Sequence, residues 1–200
     1  MKKTLEEGKF AHIVGTFDLH NATGTIDYVT PVAVGAVSSA GTPTKLRLVG
    51  EGMAGEEFDM PVHPQRNSCA PDGETGTFEE YVPVTPGLTV VKLMVGDTVA
   101  AEYRRGDDVP SPPIALAGAS PDKPYKLLLQ AAAQPTSGVT YSVQARPDTS
   151  SSWMTLAVGL EVANSEVNVN QFPGAKEIEV RVLRTDGFSE TEVLRQTKTF

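Results

Sequence analysis

The stretch EIEVRVLRTDGFSETEVLRQTKTF, residues 177–200, decides the fold class. Ile178, Val180 and Val182 alternate with Glu177, Glu179 and Arg181. A period of two puts one set on a buried face and the other in water, which is a half-buried strand. Asp186-Gly187 then supplies the positive φ that a tight hairpin turn needs, and ETEVLRQTKTF returns as the partner strand. Phe188 can fold back over the core edge. The rival reading of TDGFSE is a calcium loop using Asp186 and Glu190. It lacks the run of alternating oxygen ligands that an EF-type loop requires.

The same rhythm runs outward from this hairpin. Upstream stand YKLLLQAAA (125–133), VTYSVQAR (139–146), WMTLAVG (153–159) and SEVNVNQF (165–172). The first half reads KFAHIVGTFD (9–18), GTIDYVTPVAV (24–34), TKLRLVG (44–50), GEEFDMPVHP (55–64), TFEEYVPV (77–84), LTVVKLMVG (88–96) and TVAAEYRR (98–105). In the first of these, Phe10, His12, Val14 and Thr16 share one face, and Ala11, Ile13, Gly15 and Phe17 the other. Pro31 cannot donate to a ladder, so its strand is an edge or breaks there. Gly and Pro interrupt every window long enough for a helix. The expected fold class is all-β, as two tandem immunoglobulin/fibronectin III-like β-sandwich domains. GDDVPSPPIALAGASPDKP, residues 106–124, is rich in proline and reads as a semi-rigid connector. It places a boundary near residue 109, with domains at 1–109 and 110–200.

Composition narrows the function classes. The 200 residues carry a formal charge of -8. That balance disfavours nucleic-acid backbones and anionic lipid, which need clustered Lys and Arg. No apolar run reaches the length of a membrane-spanning helix, so no membrane insertion is expected. The single cysteine, Cys69, excludes an intrachain disulfide and a multi-Cys zinc site. MKKTLEEGKFAHIVGTFD lacks the apolar core of a secretory signal. The expected location is extracellular or cell surface as part of a longer chain, or cytoplasmic if Met1 is the native start.

The segments VTYSVQARPDTSSSWMTLAVGL and VNVNQFPGAKEIEVRVLRTDGFSET carry a resemblance. Tyr-x-Val, a turn, Trp153 and Leu156, then Phe-Pro-Gly before x-Val-Arg-Val follow the order of fibronectin type III and related bacterial sandwich modules. RVLRTDGFSE resembles the hairpin of C-terminal modules in large secreted, metallopeptidase-like bacterial proteins. HIVGTFDLHNATGTIDYV with GTFEEYVPVTPG looks similar to the module preceding it in such tails. The resemblance implies a non-catalytic accessory tail, acting as spacer or interaction module. Its partners would be the catalytic or other domains of the parent chain, with a protein or glycan ligand as the alternative.

No His-Glu-x-x-His, Gly-x-Ser-x-Gly or phosphate-loop motif is present. The chain is therefore not expected to be an enzyme, and no catalytic or cofactor-binding residue is assigned. The rival enzyme reading, with a site between the domains, would draw on His63, Asp59 and Cys69. The acidic stretch Glu51 to Glu80 reads as a solvated, edge-protecting face. Its weak metal alternative is calcium at Glu57, Asp59 and Asp72. His12, His20 and His63 read as isolated structural residues, Trp153 as a core anchor, and Tyr125 and Tyr141 as packing residues. A binding module would need exposed aromatics gathered on one face, and aromatics make up only 6% of the chain.

Overall fold

The computed structural model describes residues 3–38, 45–63, 65–66, 74–108, 110–117, 125–132 and 134–199. The described residues are all-β, with every strand pair antiparallel and one short 3-10 helix. The chain divides into two compact units, Met1–Arg105 with Gly187–Ser189, and Gly106–Asp186 with Glu190–Phe200.

The first unit contains β1 (Lys3–Asp18), β2 (Thr23–Ser38), β3 (Leu46–Gly52), β4 (Gly55–Pro61), β5 (Gln65–Arg66), β6 (Thr75–Pro83), β7 (Leu88–Val95) and β8 (Thr98–Arg104). One sheet runs β2-β1-β6-β5 and the other β4-β3-β7-β8. Ala11 and Ile13 of β1 and Phe78 and Val82 of β6 meet Leu46, Leu48, Val91 and Leu93 of the opposing sheet. Each large apolar side chain buried this way contributes about 1.5–3 kcal/mol. Phe188 belongs to this core too, 3% exposed and edge-on to Tyr103. The strand with Pro31 is an edge, as proline there requires.

Two local features shape the β1–β2 hairpin. Asp18 accepts hydrogen bonds from the backbone N–H groups of His20 and Asn21, both at 2.9 Å, and from the Asn21 side chain at 2.7 Å. These bonds hold its carboxyl below the usual aspartate range. The β1–β2 register slips between Val14 and Gly15, leaving Asp27 as an extra residue. Ile26 therefore turns to the core, while Tyr28 on the other side of the slip stays 41% exposed.

The second unit contains β9 (Ile114–Ala117), β10 (Lys126–Ala131), β11 (Thr140–Pro147), β12 (Met154–Leu160), β13 (Ser165–Asn168), β14 (Glu177–Thr185) and β15 (Glu190–Thr199). Its sheets run β13-β10-β9 and β12-β11-β14-β15. A three-stranded sheet of the first, second and fifth strands facing a four-stranded sheet of the other strands is the fibronectin type III arrangement expected from the sequence. Leu127, Leu129 and Val167 pack against Tyr141, Val143, Val180 and Val182 between the sheets. The first unit has the same four-strand order in one sheet, but in its other sheet β1 is central and β2 lies outside it.

Several local readings change. The connector holds strand β9, because the apolar run Ile114–Ala117 pairs with β10. The expected extended run over 165–172 ends at Asn168, whose side chain accepts from Asn170 N at 3.0 Å and starts the 3-10 turn Val169–Gln171. Gly187 has φ +91°, as the Asp-Gly hairpin turn requires.

Candidate functional site

The outer face of the β2-β1-β6 sheet carries an ordered set of polar and aromatic side chains. Cross-strand register sets it out in rows. His12 lies opposite Thr30 on one side and Tyr81 on the other. In the next row Val14 stands between Tyr28 and Glu79. In the third, Thr16 stands between Thr25 and Thr77, and the Thr16 and Thr25 hydroxyls bond at 2.7 Å. Strand alternation puts these residues opposite the core residues Ala11, Ile13, Phe78 and Val82.

The rings are in contact. His12 stacks on Tyr81 with centroids 4.7 Å apart and planes 16° from parallel, and Tyr28 meets the imidazole edge-on at 6.4 Å. His12 Nε2 lies 2.9 Å from Glu79 Oε1, which fixes the ring in the sheet face. Among the described residues, the second Glu79 oxygen and the hydroxyls of Tyr28 and Tyr81 make no hydrogen bond. The face therefore offers two phenol groups and a carboxylate oxygen beside the stacked ring pair. Two of the chain's thirteen Phe, Tyr and Trp residues, Tyr28 and Tyr81, lie on this face. Alternation in TFEEYVPV puts Glu79 and Tyr81 on one side. Their meeting with His12 depends on β1–β6 register, which no local pattern contains.

The other residues singled out by sequence are placed differently. Asp59 pairs with Arg47, and Glu51 with Lys92 at 2.7 Å. Among the described residues no three His, Cys, Asp or Glu side chains converge on a metal-sized site. Asp72 and Cys69 lie outside the described residues, so of the calcium candidates only Glu57 and Asp59 are placed. His20 lies 3.6 Å from Glu74 at the surface.

The reading of the acidic stretch as a solvated face fails at Glu80, which is 2% exposed. It sits on the core side of β6 between Phe78 and Val82, where the period of two puts it. Its Oε1 lies 2.7 Å from the His63 backbone nitrogen and 3.1 Å from His63 Nδ1. His63 and Asp59 are thus held by different partners, Glu80 and Arg47.

Trp153 is not in the core. It lies half-buried on the outer face of β12-β11-β14-β15, with the guanidinium carbons of Arg181, Arg146 and Arg195 at 4.2, 4.8 and 5.4 Å from its ring centroid. Arg146 pairs with Glu179, while Arg195 reaches Glu192 at 2.6 Å and Glu179 at 3.2 Å. Arg181 donates to Gln144 at 2.8 Å. Hydrogen bonds from Arg146 hold the Glu179 carboxyl low, and those from Arg195 hold Glu192 low. The indole and its cations are thus tied into their own sheet, which is a cross-strand brace. Tyr141 is in the second core as expected, whereas Tyr125 is 39% exposed. A shallow depression lined by Leu128, Ala131, Asn164 and their neighbours carries no titratable side chain.

No family model matches the chain, and no curated protein matches it. Among solved structures, it is similar to the FN1-FN3 domains of chicken CNTN1, at 10% identity and a TM-score of 0.35, covering 98% of this chain. The chain spans 63% of the length of that structure. It is also similar to a cytokine receptor complex, at 17% identity and a TM-score of 0.34, covering 93% of this chain and 95% of that one. The fold assignment rests on strand order and core composition, and these likenesses add no weight to it.

Proposed function

We propose that this chain is a non-catalytic interaction and spacing module of a larger secreted or cell-surface bacterial protein, with the outer face of β2-β1-β6 as its contact surface. The observation that carries the interaction part is the cluster of His12, Tyr28 and Tyr81 rings on one exposed sheet face. Rings on the solvent side of a sandwich whose hydroxyls make no hydrogen bond among the described residues are suited to contact. The spacing part draws on two units, each with its own core. The bacterial, secreted context and a peptidase as parent draw on the sequence resemblance alone.

The contact surface is tested by incubating labelled protein with surface and extracellular material from the source cells. Wild type should be retained, and the Y28S/Y81S double variant released. Equal retention of both, or of neither, would refute the reading. Immunoblots of cytosolic, surface and medium fractions test the rest. A band far above 21.3 kDa outside the cytosol is expected. A cytosolic band at that mass would defeat the accessory-module reading.

A further inference from the structure

We infer that the chain self-associates, the β1 edge over Lys3–Glu7 pairing antiparallel with the same edge of a second copy, an interaction independent of the ring face above. A length mismatch within one sheet creates this edge. β1 and β2 pair from Lys3 opposite Ser38 to Asp18 opposite Thr23. β6 covers the other side of β1 only from Phe10, opposite Pro83, to Asp18, opposite Thr75. Val84 N donates to Lys9 O at 2.9 Å, and there the cover ends. Among the described residues, no strand lies beside Lys3–Gly8 on that side. β1 and β2 therefore run on past β6 as a two-stranded ribbon. Such a ribbon is marginal by itself in water, and the N–H and C=O groups along its edge are a template for another strand.

Register and charge select a second copy as the occupant. Lys3–Glu7 pairs with Val34–Ser38 without a slip, and a bulge follows between Glu7 and Phe10. The regular part of the edge is thus centred on Leu5 and spans about 17 Å. A two-fold axis normal to the sheet pairs positions of like parity, because directly opposed residues share a face. Centred on Leu5, that axis sets Lys3 opposite Glu7 of the second copy, Thr4 opposite Glu6, and Leu5 opposite Leu5. A Lys–Glu pair then closes each end. Centred on Thr4, it would set Lys3 opposite Leu5. Centred on Glu6, it would set Glu6 opposite Glu6 and Lys3 opposite Lys9. The complementary register is therefore the one that also uses the whole regular run. The other edge of the ribbon, VGAVS at 34–38, carries no charge to fix a register. So short a contact makes the association weak and concentration-dependent rather than obligate.

The test is sedimentation velocity of the full chain over a concentration series from about 10 µM to about 1 mM, the range in which weak pairs form. The weight-average mass of the wild type should climb from 21.3 kDa toward twice that value. Lys3→Glu and Glu7→Lys should each weaken association by about tenfold, because each sets two like-charged pairs across the axis. An equimolar mixture of the two variants should associate as the wild type does, since each chain then meets opposite charge at both ends of the run. The double variant K3E/E7K should recover association in the same way. Recovery in the mixture also excludes misfolding of either variant as the cause of its loss. A wild type that stays at 21.3 kDa throughout overturns the inference, and so do single variants that associate unchanged. A mixture no tighter than either variant alone overturns the register, and the inference with it.

Discussion

Glu80 is the one charged side chain among the described residues that the first core buries. Replacing it tests whether its bonds to His63 matter. Glu80→Ala removes the acceptor of two hydrogen bonds, at 2.7 Å to the His63 backbone nitrogen and 3.1 Å to Nδ1. A hydrogen bond to a charged group contributes about 1.5–3 kcal/mol, and an abandoned buried N–H costs about 1–3 kcal/mol. Solvent reaching the vacated space recovers part of this, so a loss of about 3 kcal/mol is expected for the first unit. For a unit of about 100 residues that corresponds to a fall in Tm of roughly 15 °C. Glu80→Gln keeps an acceptor oxygen and loses only the charge, so it should cost about 1 kcal/mol. His63→Ala leaves the backbone bond intact and should cost about 1–1.5 kcal/mol. Urea titrations followed by far-UV circular dichroism measure all three. The reasoning is refuted if Glu80→Ala is neutral, or if His63→Ala costs as much as Glu80→Ala. The first would make the buried carboxylate replaceable, as some buried ion pairs are. The second would move the energy from backbone to ring.

Trp153→Ala should destabilise the second unit by about 2–3 kcal/mol, below the range for a fully buried aromatic because the indole is half-exposed; calorimetry reads it. Arg195→Ala should raise the carboxyl titration midpoint of Glu192 more than that of Glu179, because Glu179 keeps Arg146. In wild type both midpoints lie below 4.5, so their stabilisation is complete above that pH and is lost as pH falls through the lowered values. Carboxyl-carbon NMR titration checks the order. Gly15→Ala should cost about 2–3 kcal/mol, measured by denaturant unfolding, because its Cβ would meet Thr25 O at 2.1 Å and the Phe78 ring at 2.7 Å.

Local alternation carried the class of the fold. In KFAHIVGTFD it also assigned the two faces of β1, with His12, Val14 and Thr16 outward and Ala11 and Ile13 inward. Glu80 was legible in principle, since it shares a parity with Phe78 and Val82, but its charge argued against burial. Only His63, arriving from the end of β4, makes that burial tolerable. Strand β9 was hidden because proline dominates the stretch before it, and its four residues become a strand only through β10. Trp153 was misplaced for a similar reason. Its arginines come from β11, β14 and β15, up to 42 positions away, and nothing near it in sequence announces them. The ring face of the first unit required three strands in register, one of them with a slip at Asp27.

The placement of Trp153 has an optical consequence. It is the chain's sole tryptophan and belongs to the second unit. Tyr28, Tyr81 and Tyr103 belong to the first. Indole emission excited at its long-wavelength edge therefore reports the second unit alone, with no label attached. Far-ultraviolet dichroism follows the strands of both units together. If the two signals lose intensity at different denaturant concentrations, the units unfold separately and a single free energy does not describe the chain.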